Sequence, residues 1–394
     1  MNSRERVKAA LNFKNPDKVP VFNLIAGDIY PFPVTHSKVW NPGWNEGEEG
    51  LFPHLRAGYE NWKRPEWAKN NLDYEGNNWK RIPHEEIDEF GCIWNMQGND
   101  KNMGHPGRAS LLSWDNLDEY LLKYTPDASD KTRYDAARIL LGNLNDEKYT
   151  ILLFNCFGPS QVVAAMRGFD RYLIDHRKYP VELKKALKVV ADYHVDVLKY
   201  AKKCDVHPDG IWLVDDLGEQ NGPFFSPKMF EKFYEESYRT IFDGAHDLGV
   251  DVHLHCCGKI DPLIEPLIKW GLDAIELDSP RMSGYTDLSP YRGRIMMWGC
   301  VNIQSVYTLG TPDEVEREVW HMIRNLGSKD GGFGAYFYPT PRDIKAPRKN
   351  IKAFERGLKK FGDYSDIPSH WWDYPTEDNW DDFEVPPLPP LDPN

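Results

Sequence analysis

Residues Val250-Asp-Val-His-Leu-His-Cys-Cys-Gly258 are the stretch on which the fold turns. Side chains alternate across a strand, so Val252, Leu254 and Cys256 share one face, and Asp251, His253, His255 and Cys257 share the other. The apolar face suits packing against helices. The polar face then points into an enclosed interior, with His255 and Cys257 nearest the strand's carboxyl end. Barrel enzymes place their chemistry at that end.

Outward from this strand, the chain alternates short apolar runs with helical stretches from about residue 148 onward. Strands are predicted at 150–156, 210–216, 250–257, 272–278, 295–301 and 334–338, with another near the start at 19–26. Helices are predicted at 160–203 with a break near Pro180, and at 227–248, 260–270, 312–326 and 346–361. Such alternation implies parallel strands joined by helical crossovers. Length and strand count favour a closed TIM (β/α)8 barrel over an open doubly wound sheet. A first amphipathic helix is expected over 3–13, with Ser3 as its N-cap, ended by Pro16. Residues 30–114, rich in Trp, Gly, Pro and Asn, read as an elaborated N-terminal insertion. We thus expect a single barrel over 1–362 and a C-terminal extension over 363–394. That acidic, Pro-rich tail reads as a surface extension or as a strap across a neighbouring subunit of a homo-oligomer.

Composition removes several function classes. The net charge of −13 leaves no basic footprint for nucleic acid. Nine of the acids lie in 363–394, which has no Lys or Arg. No apolar run approaches the ~18–20 residues of a membrane span, and the charged start, Met1-Asn-Ser-Arg-Glu-Arg, has no signal core. Six Cys in 394 residues do not build a disulfide scaffold, so a reduced, cytoplasmic protein is expected. Fourteen Trp and twenty Tyr predict large aromatic surfaces in the core or the cleft. The glycine fingerprints of dinucleotide and P-loop sites and the Gly-x-Ser-x-Gly of serine hydrolases are absent.

The chemistry-bearing residues gather at strand ends. His255 and Cys257, two apart on one face, can reach a single metal ion, since imidazole nitrogen and thiolate are zinc ligands; a metal-free polar layer is the alternative. Gly210-Ile-Trp-Leu-Val-Asp-Asp-Leu-Gly-Glu-Gln220 ends a strand in Asp215 and Asp216, which point to opposite faces, so one of them looks into the cleft. Such a carboxylate could move a proton, orient a histidine or complete a metal shell, or else cap a helix. We expect Asp216, Glu219 and His255 to be catalytic, and Gln220, Asp278, Trp298 and Tyr338 to bind substrate. For a metal, His255 and Cys257 are the expected ligands, with Cys300 or Glu219 as the third; a buried, inert thiol is the other reading of Cys300.

In this order, these segments resemble the uroporphyrinogen decarboxylase superfamily. The likeness runs from Arg4-Glu-Arg-Val-Lys-Ala-Ala-Leu-Asn-Phe-Lys-Asn-Pro-Asp-Lys-Val-Pro20 through Gly168-Phe-Asp-Arg-Tyr-Leu, Asp215-Asp-Leu-Gly-Glu-Gln, His255-Cys-Cys-Gly258 and Gly310-Thr-Pro-Asp-Glu-Val315. The resemblance implies the barrel fold and one of several chemistries. The haem-pathway decarboxylases grip their porphyrinogen with arginines after the first strand; here Val21-Phe-Asn-Leu-Ile-Ala-Gly-Asp-Ile-Tyr30 has none, which argues against that substrate. Corrinoid-linked methyltransferases of the superfamily hold zinc with His-x-Cys and a distant Cys. His255 and Cys257 match the first part, whereas Tyr336-Phe-Tyr-Pro-Thr-Pro-Arg has no Cys, so Cys300, Asp216 or Glu219 would have to substitute. Asp88-Glu-Phe-Gly-Cys-Ile-Trp94 is similar to the methyltransferase-like branch, which includes ether O-demethylating members. The resemblance therefore implies methyl transfer between a small substrate, such as a methoxylated aromatic, and a corrinoid on a partner protein, with Zn2+ as cofactor. The alternatives are a metal-independent decarboxylase or lyase acting on a small acid, and a non-catalytic binding protein on the same fold.

Overall fold

The computed structural model describes residues 1–23, 27–34, 83–97, 105–142, 144, 147–341 and 344–373. Most of the expected insertion and the extension beyond Asp373 lie outside these residues. Eight parallel strands form the main sheet: β1 (Val21–Phe22), β2 (Ile29–Pro33), β3 (Tyr149–Leu153), β4 (Gly210–Val214), β5 (Asp251–Cys256), β6 (Ala274–Leu277), β7 (Met296–Gly299) and β8 (Phe333–Tyr336). They run in order around the ring, β8 pairing with β1 and β2 with β3. The Asp28 N–H donates to the Val21 carbonyl and the Val21 N–H to the Asp28 carboxylate, which brings β2 back beside β1. The expected (β/α)8 barrel is present.

β2 departs from the sequence reading, which began the insertion at residue 30. Ile29-Tyr-Pro-Phe-Pro33 carries two prolines, and proline cannot donate to a ladder. Its placement explains their tolerance. The Asp28 carbonyl accepts from the Tyr149 N–H and the Val34 N–H donates to the Leu153 carbonyl, so even-numbered residues bond to β3. Pro31 and Pro33 have the opposite parity and face the side where β1 has already ended.

The first helix, Ser3–Leu11, is capped by Asn2 rather than Ser3. The Asn2 side chain accepts from the Glu5 N–H at 2.8 Å and Glu5 reaches back to the Asn2 N–H at 3.0 Å, while the Ser3 hydroxyl donates to Asp28. This helix covers the amino end of the barrel through Arg6–Asp28 and Lys8–Asp251 ion pairs.

Aromatic rings fill the barrel interior. Trp212 stacks on Tyr336 at 5.7 Å and meets Phe22 edge-on at 4.9 Å; Phe22 also meets Trp298 edge-on at 6.0 Å. A directed hydrogen-bond chain crosses this layer. The Trp298 indole N–H donates to His253 Nδ1 at 3.0 Å, which leaves His253 Nε2 as the protonated nitrogen, 2.9 Å from the Tyr149 hydroxyl. Tyr149 then donates to Asp251, which Lys8 neutralises. Burial lowers the pKa of His253 to about 4, so it is a neutral link in this chain. The layer has no spare volume. A Cβ on Gly334 would stand 2.3 Å from the Trp298 ring, so Gly334→Ala is expected to cost about 1–3 kcal/mol through overpacking, read as a lower urea midpoint at unchanged m.

The described part of the insertion is a small antiparallel sheet of Pro83–Ile87, Ile93–Gln97 and His105–Pro106. It is anchored beside the carboxyl end of β3: Glu89 holds Arg133 and Asn155, and Trp94 packs on Phe157 at 5.1 Å.

Candidate active site

At the carboxyl ends of β4 to β6, five polar side chains meet above the aromatic layer. His255 rests over Trp212 with ring centroids 6.2 Å apart. Its Nδ1 is hydrogen-bonded to Glu276 Oε2, and its Nε2 lies 3.4 Å from Cys257 Sγ. Cys257 Sγ donates to Asp278 Oδ2 at 3.2 Å. Asp216 Oδ1 accepts the Cys257 backbone N–H at 2.9 Å, and Asp216 Oδ2 accepts from Gln161 Nε2 at 3.2 Å.

The local backbone explains this convergence. Gly258 has a φ of +91°, and a Cβ there would stand 2.5 Å from the Gly218 carbonyl, so only glycine lets the loops after β4 and β5 touch. The Lys259 N–H donates to the Glu219 carbonyl at 2.8 Å and ties those loops together. Asp216 is thereby held against Cys257.

The adjacent acids divide as their alternation requires. Asp215 is fully buried and turns away from the cleft, accepting the Ser160 N–H at 3.0 Å, the Gln161 N–H at 2.7 Å and the Tyr238 hydroxyl at 2.7 Å. It caps helix Pro159–Arg167, which belongs to the preceding β/α unit. Burial pushes its pKa up to about 7, with those three donors opposing.

Electrostatics set the protonation of the cluster. Burial disfavours a charged imidazole at His255, but the Glu276 carboxylate overrides it and holds His255 well above its ordinary value. Burial pushes the pKa of Glu276 up to about 8, with His255 opposing. We read the pair as retaining a proton between Nδ1 and Oε2, which orients the ring and aims Nε2 at the cleft. Burial also raises the Cys257 thiol, so it is protonated as it stands, and a metal held there would have to take the place of that proton. One oxygen each of Glu276 and Asp278 is buried without a hydrogen-bond partner.

Among the described residues, two groups offer ligand atoms within 4.8 Å of one another: Asp216, His255 and Cys257, and His255, Glu276 and Asp278. The first supplies oxygen, nitrogen and sulfur, a donor set suited to zinc. Cys300 and Glu219 belong to neither group. Cys300 is buried, and burial raises its thiol; Glu219 and Gln220 are exposed on the turn after β4. Trp298 is fully buried in the packed aromatic layer, and Tyr338 is half-buried just past β8. Of the two residues that frame the cluster, Glu276 and Gln161, the sequence carries a weak signal for one and none for the other. The strand-end acid in Leu272-Asp-Ala-Ile-Glu-Leu-Asp278 was a visible signal for the first, whereas Gln161 comes from a helix start far off in sequence.

The fold and the site together define an eight-stranded α/β barrel with a cluster of His, Cys and carboxylate side chains, all of metal-ligand type, at the carboxyl ends of its strands. The family described as uroporphyrinogen decarboxylase (URO-D) matches residues 108–334, and the chain belongs to that family. A similar solved structure, a methyltransferase from Methanosarcina mazei, superposes with a TM-score of 0.56 at 17% identity, covering 92% of this chain and 99% of that one. A search of curated proteins found no match. No helix among the described residues is long and apolar enough to cross a membrane.

Proposed function

We propose that the chain is a methyltransferase that moves a methyl group between a small substrate, of the methoxylated-aromatic kind, and a corrinoid carried by a partner protein, with a zinc ion held by Asp216, His255 and Cys257. The observation that carries this reading is the convergence of those three ligand atoms within 4.8 Å at the carboxyl ends of the strands. Membership of the family and the likeness of fold to a methyltransferase support it. Zinc bound there would supply a Lewis acid for the substrate oxygen.

The chain's own groups prepare that position. Glu276 takes the Nδ1 hydrogen of His255 and leaves Nε2 free to ligate. Gln161 and the Cys257 N–H fix the Asp216 carboxylate. Asp278 accepts the thiol hydrogen of Cys257 and would receive that proton were the sulfur to hold a metal. The aromatic layer beneath keeps water out from below.

The test is metal analysis of the purified protein, followed by methyl transfer from methoxylated aromatics to free cob(I)alamin. About one zinc per chain is expected, with activity lost on chelation and restored by zinc. Turnover of a small acid that survives exhaustive chelation would instead assign proton handling by Asp216 and His255 and retire this reading.

A further inference from the structure

The amino end of the barrel holds a second polar cluster, separate from the site above. Arg324 lies in the last turn of helix Pro312–Leu326, and Arg292 in the segment before β7. Arg324 is 3% exposed, and its Nε and Nη1 have no hydrogen-bond partner. The Tyr364 hydroxyl and the Trp371 indole N–H are buried and unpartnered too. These groups gather around Gly327. Arg292 Nε donates to the Gly327 carbonyl, and the Tyr364 hydroxyl oxygen lies 3.6 Å from where a Cβ on Gly327 would stand. The Arg292 guanidinium sits 5.6 Å over the Trp372 ring, which stacks on Tyr364 at 6.1 Å. Trp371 packs on Trp320, one helical turn before Arg324.

The charges are unbalanced. Burial and then the charge of Arg292 lower the pKa of Arg324 to about 10. Among the described residues, no ion pair involves either arginine, and the acid that acts on both is the exposed Asp373. A buried charge without a partner is costly. Every orphaned atom here can donate a hydrogen bond, so the missing partner is negative and rich in acceptors. Tyr364 also borders an open cavity of about 470 Å³, whose lining includes Lys18, Lys329, Asp17 and Asp363. Asp17 on the same wall is already engaged by Arg6.

We propose that Arg292, Arg324 and Tyr364 form a binding site for an oxyanion with phosphate-like or carboxylate oxygens, at the end of the barrel opposite the metal-ligating cluster. Two sources carry that chemistry: a free anion, and the acids that follow Asp373 in the chain. Arginine suits both because its fork matches such oxygens.

The test is thermal denaturation of the full-length protein in sodium phosphate, against chloride at equal ionic strength. Three variants accompany it: Arg324→Met, Arg292→Gln, and a tail variant with Glu377→Gln, Asp378→Asn, Asp381→Asn, Asp382→Asn and Glu384→Gln. Phosphate at tenfold its Kd is expected to raise Tm by about 2 °C. Both arginine variants should lose that rise. Without phosphate, Arg324→Met should melt no lower than the parent, since it removes an unpaired buried charge; Arg292→Gln, at a half-buried position, keeps the test open if the methionine variant fails to fold. A response confined to the tail variant would identify the tail carboxylates as the occupant and uphold the site. No response in either the parent or the tail variant, or an undiminished response in both arginine variants, would overturn it.

Discussion

Replacing Cys257 by serine is expected to strip the protein of its metal and abolish methyl transfer while leaving the fold nearly unchanged. The sulfur is half-buried, and its hydrogen-bond contacts are His255 and Asp278. A serine hydroxyl can donate to Asp278 in its place, so the stability change should stay within about 1 kcal/mol. The hydroxyl is a far poorer ligand than a thiolate, because zinc readily deprotonates a thiol. His255→Ala removes the nitrogen ligand and leaves Glu276 buried without its partner, so it should lose the metal and also some stability. Glu276→Gln supplies the graded comparison. It keeps an acceptor for Nδ1 but removes the charge, and should weaken zinc binding by about 10–100-fold. Competition with a chelator of known affinity ranks these variants. Equal zinc affinity in all of them would place the metal elsewhere.

The second large effect is on stability. Asp215→Ala is expected to lower the unfolding free energy by about 3–5 kcal/mol. The carboxylate accepts three buried donors at once, and alanine leaves the Ser160 N–H, the Gln161 N–H and the Tyr238 hydroxyl without their acceptor. Burial of the charge works against the native residue, which is why its pKa lies near 7, yet three orphaned donors outweigh that strain. Helix Pro159–Arg167 would lose its N-terminal anchor, and Gln161, which also holds Asp216, would shift with it. Urea denaturation measures the loss, and zinc affinity should fall in parallel. A variant as stable as the parent would contradict the role assigned to Asp215.

Seven of the eight strands were legible in the sequence: β1 as the apolar run within 19–26, and β3 to β8 because their apolar runs are flanked by helical patterns of the right length. The shared face of His255 and Cys257 followed from strand alternation alone. β2 was hidden by Pro31 and Pro33, whose tolerance depends on what lies beside the strand rather than on the strand itself. The residues that frame the cluster were harder to see for a similar reason. Asp215 serves a helix more than fifty residues earlier, and Gln161 reaches Asp216 from that same helix. Neither contact leaves a local pattern. Trp298 shows the opposite failure: a large aromatic near a strand end reads as a cleft wall, whereas here it fills the interior and fixes the tautomer of His253.

Zinc K-edge X-ray absorption on the full-length protein addresses the central claim most directly. About one zinc per chain is expected, with one sulfur at about 2.3 Å and lighter ligands at about 2.0–2.2 Å, the sulfur signal vanishing in Cys257→Ser. Protein that retains no zinc, or a sulfur signal that persists in that variant, would contradict it.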